Sequence, residues 1–217
     1  MKDFKAVVFD MDGVIFDSER CIMETWIVLA EKYGIEGIEE VFLACTGTNA
    51  AKTRQICLDA YGEDFPYEQY ESESMKMYHE KYDGGRLPIK TGVFELLDYL
   101  KSIGVKIALA SSTKRSSVER ELTEAGLIDY FDEIVAGDMV TKSKPDPQIY
   151  LAACEKIGIK PEDCYAIEDS YNGIRSAAAG GLKAIMVPDL RPADDEMKSL
   201  AVAVLDTLND VITYLAE

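Results

Sequence analysis

Short apolar runs that alternate with stretches of helical period constrain the fold of this 217-residue chain more than any other feature. Most of the runs are apolar on both faces, which is typical of strands buried in a parallel sheet. The six runs cover residues 6–9, 105–110, 133–136, 164–167, 183–187 and 201–205.

Between these runs, apolar residues recur at intervals of three and four. Val93, Leu96, Leu97 and Leu100 form one such stretch, and Gly104 follows it as a helix stop. Strand and helix therefore alternate from about residue 92 onward. This alternation predicts right-handed βαβ units, and hence an α/β fold with a doubly wound parallel sheet and a Rossmann-like core.

Residues 17–83 interrupt the alternation, because they contain helical patterns and no strand-like run. Ile22 and Trp26 share one face of a first helix, and further helices are predicted over residues 50–60 and 67–82. The sequence therefore predicts an all-helical insertion directly after the first strand.

We expect this insertion to be a separate cap domain, made of residues 17–83. The catalytic core is then expected to comprise residues 1–16 and 84–217. In open α/β sheets, ligands bind outside the carboxyl ends of the strands, so an insertion at this point would cover the site.

The charge of the chain limits its partners. Forty acidic side chains against 23 basic ones give a net charge of −17, so no nucleic acid or membrane surface is expected as a partner. An anionic substrate would need a local patch of positive charge.

No run approaches the roughly 20 apolar residues of a membrane span. With no signal peptide and five scattered cysteines, we expect a cytoplasmic protein with no obligate protein partner.

Two aspartates follow the first run, and hydroxyl side chains follow the second. Asp10 and Asp12 point the same way if strand geometry persists, and a divalent cation would relieve their repulsion. A solvated loop is the plain alternative. Ser111 and Ser112, with free backbone N–H groups at a helix N-terminus, would form an anion site. The alternative is that either serine only caps that helix.

A lysine and a second pair of acids occupy similar positions further along the chain. Lys144 stands just ahead of a helix that begins at Pro147, where it can reach an anion, although a single lysine is more often a surface residue. Glu168 and Asp169 follow the fourth run. Ser170 is expected to cap the next helix and to leave both acids free to face a cation.

These groups together suit phosphoryl transfer. Oxygen ligands alone favour Mg²⁺ over zinc, and His79 is the only histidine. A carboxylate can attack phosphorus and form an aspartyl-phosphate, while a neighbouring acid protonates the departing oxygen and later accepts a proton from water. The sequence therefore predicts a Mg²⁺-dependent enzyme that acts on a small phosphorylated metabolite.

The motifs FDMDGV, ASS, SKPDP and IEDSYNGI occur in the order and spacing of the haloacid dehalogenase superfamily. The chain resembles, over its full length, the subgroup of β-phosphoglucomutase and its phosphatase relatives. The resemblance implies that Asp10 is the nucleophile and a metal ligand. It also implies that Asp12 is the general acid and base, with its backbone carbonyl reaching the metal, and that Ser111 and Lys144 hold the phosphoryl oxygens.

The same resemblance makes Asp169 a Mg²⁺ ligand and Glu168 either a ligand or a supporting partner. It also implies a cap loop at residues 46–49 that meets the substrate. The residues expected to bind the substrate are Ser112, Gly47, Thr48 and Asn49. Candidate wall residues from the first cap helix are Glu19, Ile22 and Trp26, of which the last two are more often packing residues.

Two residues typical of the mutase are absent. Cys21 and Ile22 stand where its cap histidine is expected, and residues 48–51 hold no arginine after the cap glycine, with Arg54 one turn further. We therefore expect a phosphatase acting on a sugar phosphate or a similar metabolite. The alternatives are a β-phosphoglucomutase-type mutase, whose cap must exclude water, and a catalytically idle phosphate-binding protein.

Overall fold

A single parallel sheet forms the centre of the computed structural model, which describes residues 2–46, 48 and 50–217. The strands are β1 (Ala6–Phe9), β2 (Lys106–Ala110), β3 (Glu133–Val135), β4 (Cys164–Glu168), β5 (Lys183–Met186) and β6 (Ala203–Val204). Their order in the sheet is β3-β2-β1-β4-β5-β6. Each predicted apolar run overlaps one of these strands, so the prediction of a doubly wound α/β fold is confirmed.

Ten α-helices connect or flank the strands within the described residues. They are α1 (Ser18–Tyr33), α2 (Ile38–Cys45), α3 (Ala50–Tyr61), α4 (Tyr67–Tyr82), α5 (Val93–Ser102), α6 (Arg115–Glu124), α7 (Gln148–Ile157), α8 (Tyr171–Ala179), α9 (Asp195–Leu200) and α10 (Leu208–Ala216). None of the helices in these ranges combines the length and the hydrophobicity that crossing a membrane requires.

Strand β1 lies in the middle of the sheet, between β2 and β4, and is buried on both faces. Val7 and Phe9 belong to one hydrophobic cluster, and Ala6 and Val8 belong to another on the opposite face. Because side chains alternate along a strand, both clusters must be apolar for the strand to be buried. This double burial holds the carboxyl end of β1 at the centre of the sheet edge.

Helices α1 to α4 pack around a third cluster of buried side chains. The ring of Trp26 lies edge-on to those of Phe42 and Tyr70, at centroid distances of 5.1 and 5.7 Å. The Tyr70 hydroxyl also donates a hydrogen bond to the backbone carbonyl of Trp26. We keep the proposal that residues 17–83 act as a cap.

Helix α2 is missing from the helices that the sequence predicts. It has only eight residues, too few for a helical period to stand out. Gly37 precedes it with a φ of 70°, a conformation that favours glycine. The packing of Phe42 against Trp26 then stabilises the helix, so tertiary contact rather than local pattern determines this element.

Candidate active site

The carboxyl ends of three adjacent strands carry the candidate catalytic groups. Asp10 follows β1 directly, Ser111 follows β2, and Glu168 is the last residue of β4. Because β1 lies between the other two strands, these three residues meet at one edge of the sheet. The loop ahead of α7 adds Lys144, whose side chain points into the same place.

Lys144 is buried, with 3% of its surface exposed. Together with the carboxylates Asp10, Glu168 and Asp169 it forms the floor of this site. Its ammonium group donates to Asp10 Oδ1 at 2.8 Å, to Glu168 Oε1 at 2.6 Å and to the carbonyl of Ala110 at 3.1 Å. Burial opposes the charge of this lysine, but the two carboxylates outweigh it and raise its pKa. Lys144 is therefore a permanent cation of the site, and the alternative of a surface lysine is wrong.

Glu168 is fully buried, and both of its carboxylate oxygens accept hydrogen bonds, so it is more constrained than the sequence indicates. Its Oε1 accepts from Lys144 and from the hydroxyl of Tyr150 at 2.7 Å. Its Oε2 accepts from the N–H of Asp169 and from the N–H and hydroxyl of Ser170. This network positions Lys144 and limits how Glu168 can turn toward a metal ion.

Gly173, in the first turn of α8, makes room for the Glu168 carboxylate. A Cβ at this position would lie 1.8 Å from Glu168 Cδ. Ser170 caps the same helix by accepting a hydrogen bond from the Gly173 N–H at 3.0 Å, as the sequence predicts. The role of Tyr150 could not be read from the sequence, because its position fits the apolar face of α7 equally well.

Asp169 is 6% exposed, and its Oδ1 is buried without a hydrogen-bond partner in the described structure. The loop after β1 lies against this carboxylate because Gly13, with a φ of 79°, has no side chain: a Cβ there would be 2.3 Å from Asp169 Oδ2. A buried carboxylate oxygen without a partner is costly unless a proton or a cation satisfies it.

Three carboxylates at the floor could hold a metal ion. Asp10, Glu168 and Asp169 each offer an oxygen, and the three oxygens lie within 4.8 Å of one another. The unpartnered oxygen of Asp169 and the all-oxygen donor set both fit a hard divalent cation. These residues therefore fit the expected metal, with Glu168 the most constrained of the three.

The electrostatics of this floor favour a bound cation. Burial and then the neighbouring Glu168 raise the pKa of Asp10 to about 8, against the opposing effect of Lys144. Burial, followed by the charge of Glu19, also raises the pKa of Asp169 well above its ordinary value. One lysine does not offset these carboxylates, so a further positive charge would favour their ionised forms.

Asp12 is held by hydroxyl groups and stands apart from the three-carboxylate group. Ser18 donates to its Oδ1 at 2.6 Å, and Thr113 donates to its Oδ2 at 2.8 Å. A longer bond of 3.4 Å comes from Ser111, whose Oγ accepts from the Thr113 N–H. The carboxylate is half-buried at the edge of a cavity, where a proton could be exchanged with a ligand.

Neither Ser111 nor Ser112 caps helix α6, so that alternative is wrong. The helix begins only at Arg115, after Lys114, and the expected helix N-terminus therefore does not follow the serines directly. Ser111 is instead fully buried beside Asp12, and Ser112 lines the cavity.

A cavity of about 310 Å³ separates this floor from helices α1 to α4. Asp10, Asp12, Ser112, Thr113 and Lys144 line it from the sheet side. The side chains that line it from the helical side include Glu19, Ile22, Trp26, Phe42, Thr48, Thr53, Tyr67, Glu71, Ser74 and Met75. Thr48 and the candidate wall residues are thus placed at the cavity, whereas Gly47 and Asn49 lie outside the described residues.

A second cavity, of about 430 Å³, adjoins the first at Glu19 and Thr46. It runs past Asp169 toward Arg175 and Arg191. This second cavity could not be predicted from the sequence, because it is formed by residues from α2, α8 and the loop after β5 that are distant in the chain.

A family model described as haloacid dehalogenase-like hydrolase matches residues 7–187, which include the whole of this floor. The chain belongs to the haloacid dehalogenase-like hydrolases. The resemblance stated from the four strand-end motifs is therefore confirmed.

Relatives of this haloacid dehalogenase-like hydrolase include both phosphatases and mutases. The chain is 32% identical to the phosphorylated carbohydrates phosphatase of Thermotoga maritima, covering 98% of this chain and 99% of that protein. It is 30% identical to the β-phosphoglucomutase of Bacillus subtilis, over 95% of this chain and 94% of that protein. The crystal structure of CbbY from Rhodobacter sphaeroides in complex with phosphate superposes with a TM-score of 0.76 and 26% identity, covering 96% of each chain.

The family match and the phosphatase-named relatives confirm the expected enzyme class, a haloacid dehalogenase-like phosphatase. The positions that distinguish the mutase are occupied as follows. Cys21 is buried in the hydrophobic core, Ile22 lines the cavity, and Arg54 pairs with Glu68 at 2.7 Å. Arg54 is absent from the cavity lining in the described structure.

Proposed function

We propose that this hydrolase releases phosphate from a small sugar phosphate through an aspartyl-phosphate on Asp10. The observation that supports this most is the contact of 2.8 Å between Lys144 and Asp10 Oδ1. No hydrogen bond to Asp10 Oδ2 is found among the described residues, and Asp10 lines the cavity. A carboxylate oxygen without hydrogen-bond donors, on a residue that lines a ligand cavity, is suited to nucleophilic attack.

In the first proposed step, the Asp10 carboxylate attacks phosphorus and the bond between phosphorus and the ester oxygen breaks. Asp12 gives its proton to the departing alcohol oxygen, which leaves as a neutral alcohol. Ser18 and Thr113 hold the Asp12 carboxylate at the cavity edge during this transfer.

In the second proposed step, water attacks the phosphoryl group while Asp12 accepts a proton from it. The bond between phosphorus and the Asp10 oxygen breaks, so phosphate leaves and both carboxyl groups return to their starting states. Lys144 stabilises the negative charge near Asp10 in both steps, and Glu168 and Tyr150 hold it in place. Ser111 and Ser112 are proposed to contact the phosphoryl oxygens.

The proposed cofactor is Mg²⁺, held by Asp10 and Asp169, with the backbone carbonyl of Asp12 as a further ligand and Glu168 as ligand or support. When bound, the ion would offset the negative charge of the carboxylates and of the phosphoryl oxygens. The oxygen of Asp169 that has no partner supports this assignment.

Phosphate release from a panel of phosphorylated sugars, nucleotides and polyols tests the proposal. We expect release that is lost in Asp10→Asn and on chelation with EDTA. Asp64→Asn is a matched control, because Asp64 is an exposed aspartate of the helical segment, and it should keep wild-type activity. Normal turnover by Asp10→Asn would refute the aspartyl-phosphate mechanism.

A sugar-phosphate mutase is the second candidate, because the Bacillus subtilis relative is named a β-phosphoglucomutase. The two candidates form different products from β-glucose 1-phosphate, namely free phosphate or an isomerised sugar phosphate. NMR of the reaction mixture distinguishes them. Binding of phosphate esters without any turnover would instead indicate the third alternative, an idle phosphate-binding protein.

A further inference from the structure

The charges around the cavity are distributed unevenly. Among the described residues that line it, Lys144 is the only cationic side chain, and it lies at the floor. Gly47 and Asn49, which the structure does not describe, are uncharged residues. The helical wall opposite the floor carries two carboxylates, Glu19 and Glu71. A ligand held by its phosphate at the floor therefore directs its other end toward an acidic wall.

Glu71 differs from the other acids of helix α4. Glu68 pairs with Arg54 at 2.7 Å and Glu73 pairs with Lys32 at 2.6 Å. The described structure gives the half-buried Glu71 no hydrogen bond or ion pair, although it faces the cavity. Since the helix supplies no cation to neutralise it, its negative charge acts on whatever occupies the cavity.

Two arginines lie in the second cavity, outside the one that holds Asp10. Arg175 and Arg191 line that second cavity, beyond Glu19. Arg175 is neutralised by Glu196 through two contacts of 2.7 and 2.6 Å, and Arg191 lies over the ring of Tyr171 at 4.4 Å. Neither guanidinium therefore offsets the acidic wall of the cavity that holds Asp10.

We propose that Glu71 is a specificity-determining residue that excludes a second anionic group from the cavity. The substrate is then a monophosphate whose alcohol part is uncharged and rich in hydroxyl groups. Thr48, Thr53 and Ser74 of the wall offer hydroxyl oxygens that can accept hydrogen bonds from such an alcohol, while their own hydrogens are donated within the wall. This inference rests on the proposed function and narrows it, since a bisphosphate would be rejected.

Matched pairs of substrates test the inference: glucose 6-phosphate with glucose 1,6-bisphosphate, and fructose 6-phosphate with fructose 1,6-bisphosphate. We expect the wild-type kcat/KM for phosphate release to favour the monophosphate of each pair. In Glu71→Gln, this preference should fall about tenfold, the effect of removing one like charge at a few ångströms in a partly solvated site. This smaller preference should arise mainly from a lower KM for the bisphosphate.

Glu80→Gln is the matched control, because it makes the same change of charge on the same helix at an exposed position. It should leave the preference unchanged. Equal turnover of both members of each pair by wild type, or an unchanged preference in Glu71→Gln, would overturn the inference and leave the proposed function standing.

A binding measurement keeps the inference testable if no ester is hydrolysed, which would refute the proposed function itself. The Asp10→Asn protein is titrated calorimetrically with the same four sugar phosphates, with and without Glu71→Gln. Tighter binding of the monophosphates, with a gain for the bisphosphates only in the Glu71→Gln background, supports the role of Glu71. Bisphosphate binding at least as tight as monophosphate binding overturns it.

Discussion

Replacement of Gly173 by alanine is expected to destabilise the protein, although alanine has the higher helix propensity of the two residues. In an ordinary helix, Gly→Ala stabilises by about 1 kcal/mol. Here the added Cβ would lie 1.8 Å from Cδ and 2.0 Å from Oε2 of Glu168. The carboxylate would have to move, although it is fully buried and bonded on both oxygens.

The magnitude follows from the bonds that such a movement breaks. We expect at least two of the hydrogen bonds to Glu168 to be lost. The bonds from Lys144 at 2.6 Å and from Tyr150 at 2.7 Å should break first. Hydrogen bonds to charged groups contribute about 1.5–3 kcal/mol each. After the propensity gain is offset, Gly173→Ala should lower the free energy of unfolding by about 3 kcal/mol. Phosphatase activity should fall at least about tenfold, because Lys144 loses its support.

Urea unfolding followed by circular dichroism measures the change in stability, and phosphate release measures the change in activity. Gly180→Ala is a control at the end of the same helix, where φ is −75° and the nearest atom to an added Cβ is Leu182 Cδ1 at 3.1 Å. It should change the free energy of unfolding by less than about 1 kcal/mol. If Gly173→Ala is as stable as wild type, Glu168 is not held as firmly as its hydrogen bonds indicate.

Two further predictions concern buried carboxylates. Asp169→Asn should raise the stability of the metal-free protein by about 1 kcal/mol, because it removes a carboxyl group whose ionisation is opposed by burial and whose Oδ1 has no partner. The same variant should lose stabilisation by Mg²⁺; thermal unfolding in EDTA and in MgCl₂ measures both effects, and a lower midpoint in EDTA would contradict the reasoning. Burial raises the pKa of Glu121 from 4.5 to about 7, so the folded protein binds this proton more tightly and its stability should fall as pH rises through that interval. At pH 8, urea unfolding should therefore show a free energy of unfolding roughly 1–3 kcal/mol higher for Glu121→Gln than for wild type. The exposed control Glu119→Gln should show no such increase.

The sequence predicts the sheet and the strand-end residues because both depend on local pattern. Strands buried on both faces must be continuously apolar, so all six runs could be identified. The parallel arrangement then places Asp10 and Glu168 at one edge of the sheet. The convergence of distant residues on this edge follows from topology alone, without knowledge of side-chain positions.

The contacts that side chains make at the site could not be predicted in the same way. Glu168 and Asp169 are adjacent acids in the sequence, yet one is fully bonded and the other has an oxygen without a partner. Nothing in the local pattern distinguishes Tyr150 from the apolar residues of its helix, or Glu71 from the paired acids around it. These roles depend on which side chains face the cavity, and only packing determines that.

The excess of carboxylates at the floor has a consequence for binding of metal and phosphate. Asp10, Asp169 and Glu168 lie close together, and the one ammonium group at the site, that of Lys144, contacts two of them. A phosphate dianion adds further negative charge to the same place. A divalent cation and a phosphate should therefore each favour binding of the other, and thermodynamic linkage requires the two effects to be equal.

We expect inorganic phosphate to bind the wild-type protein about 5- to 150-fold more tightly in MgCl₂ than in EDTA, the usual range of such couplings. Saturating phosphate should increase the affinity for Mg²⁺ by the same factor, and calorimetric titrations in both orders measure the two quantities. Phosphate affinity that is unchanged by the metal would contradict this coupling. It would mean that Lys144 alone offsets the remaining carboxylates, because Asp10, whose pKa is raised to about 8, binds phosphate in its protonated form.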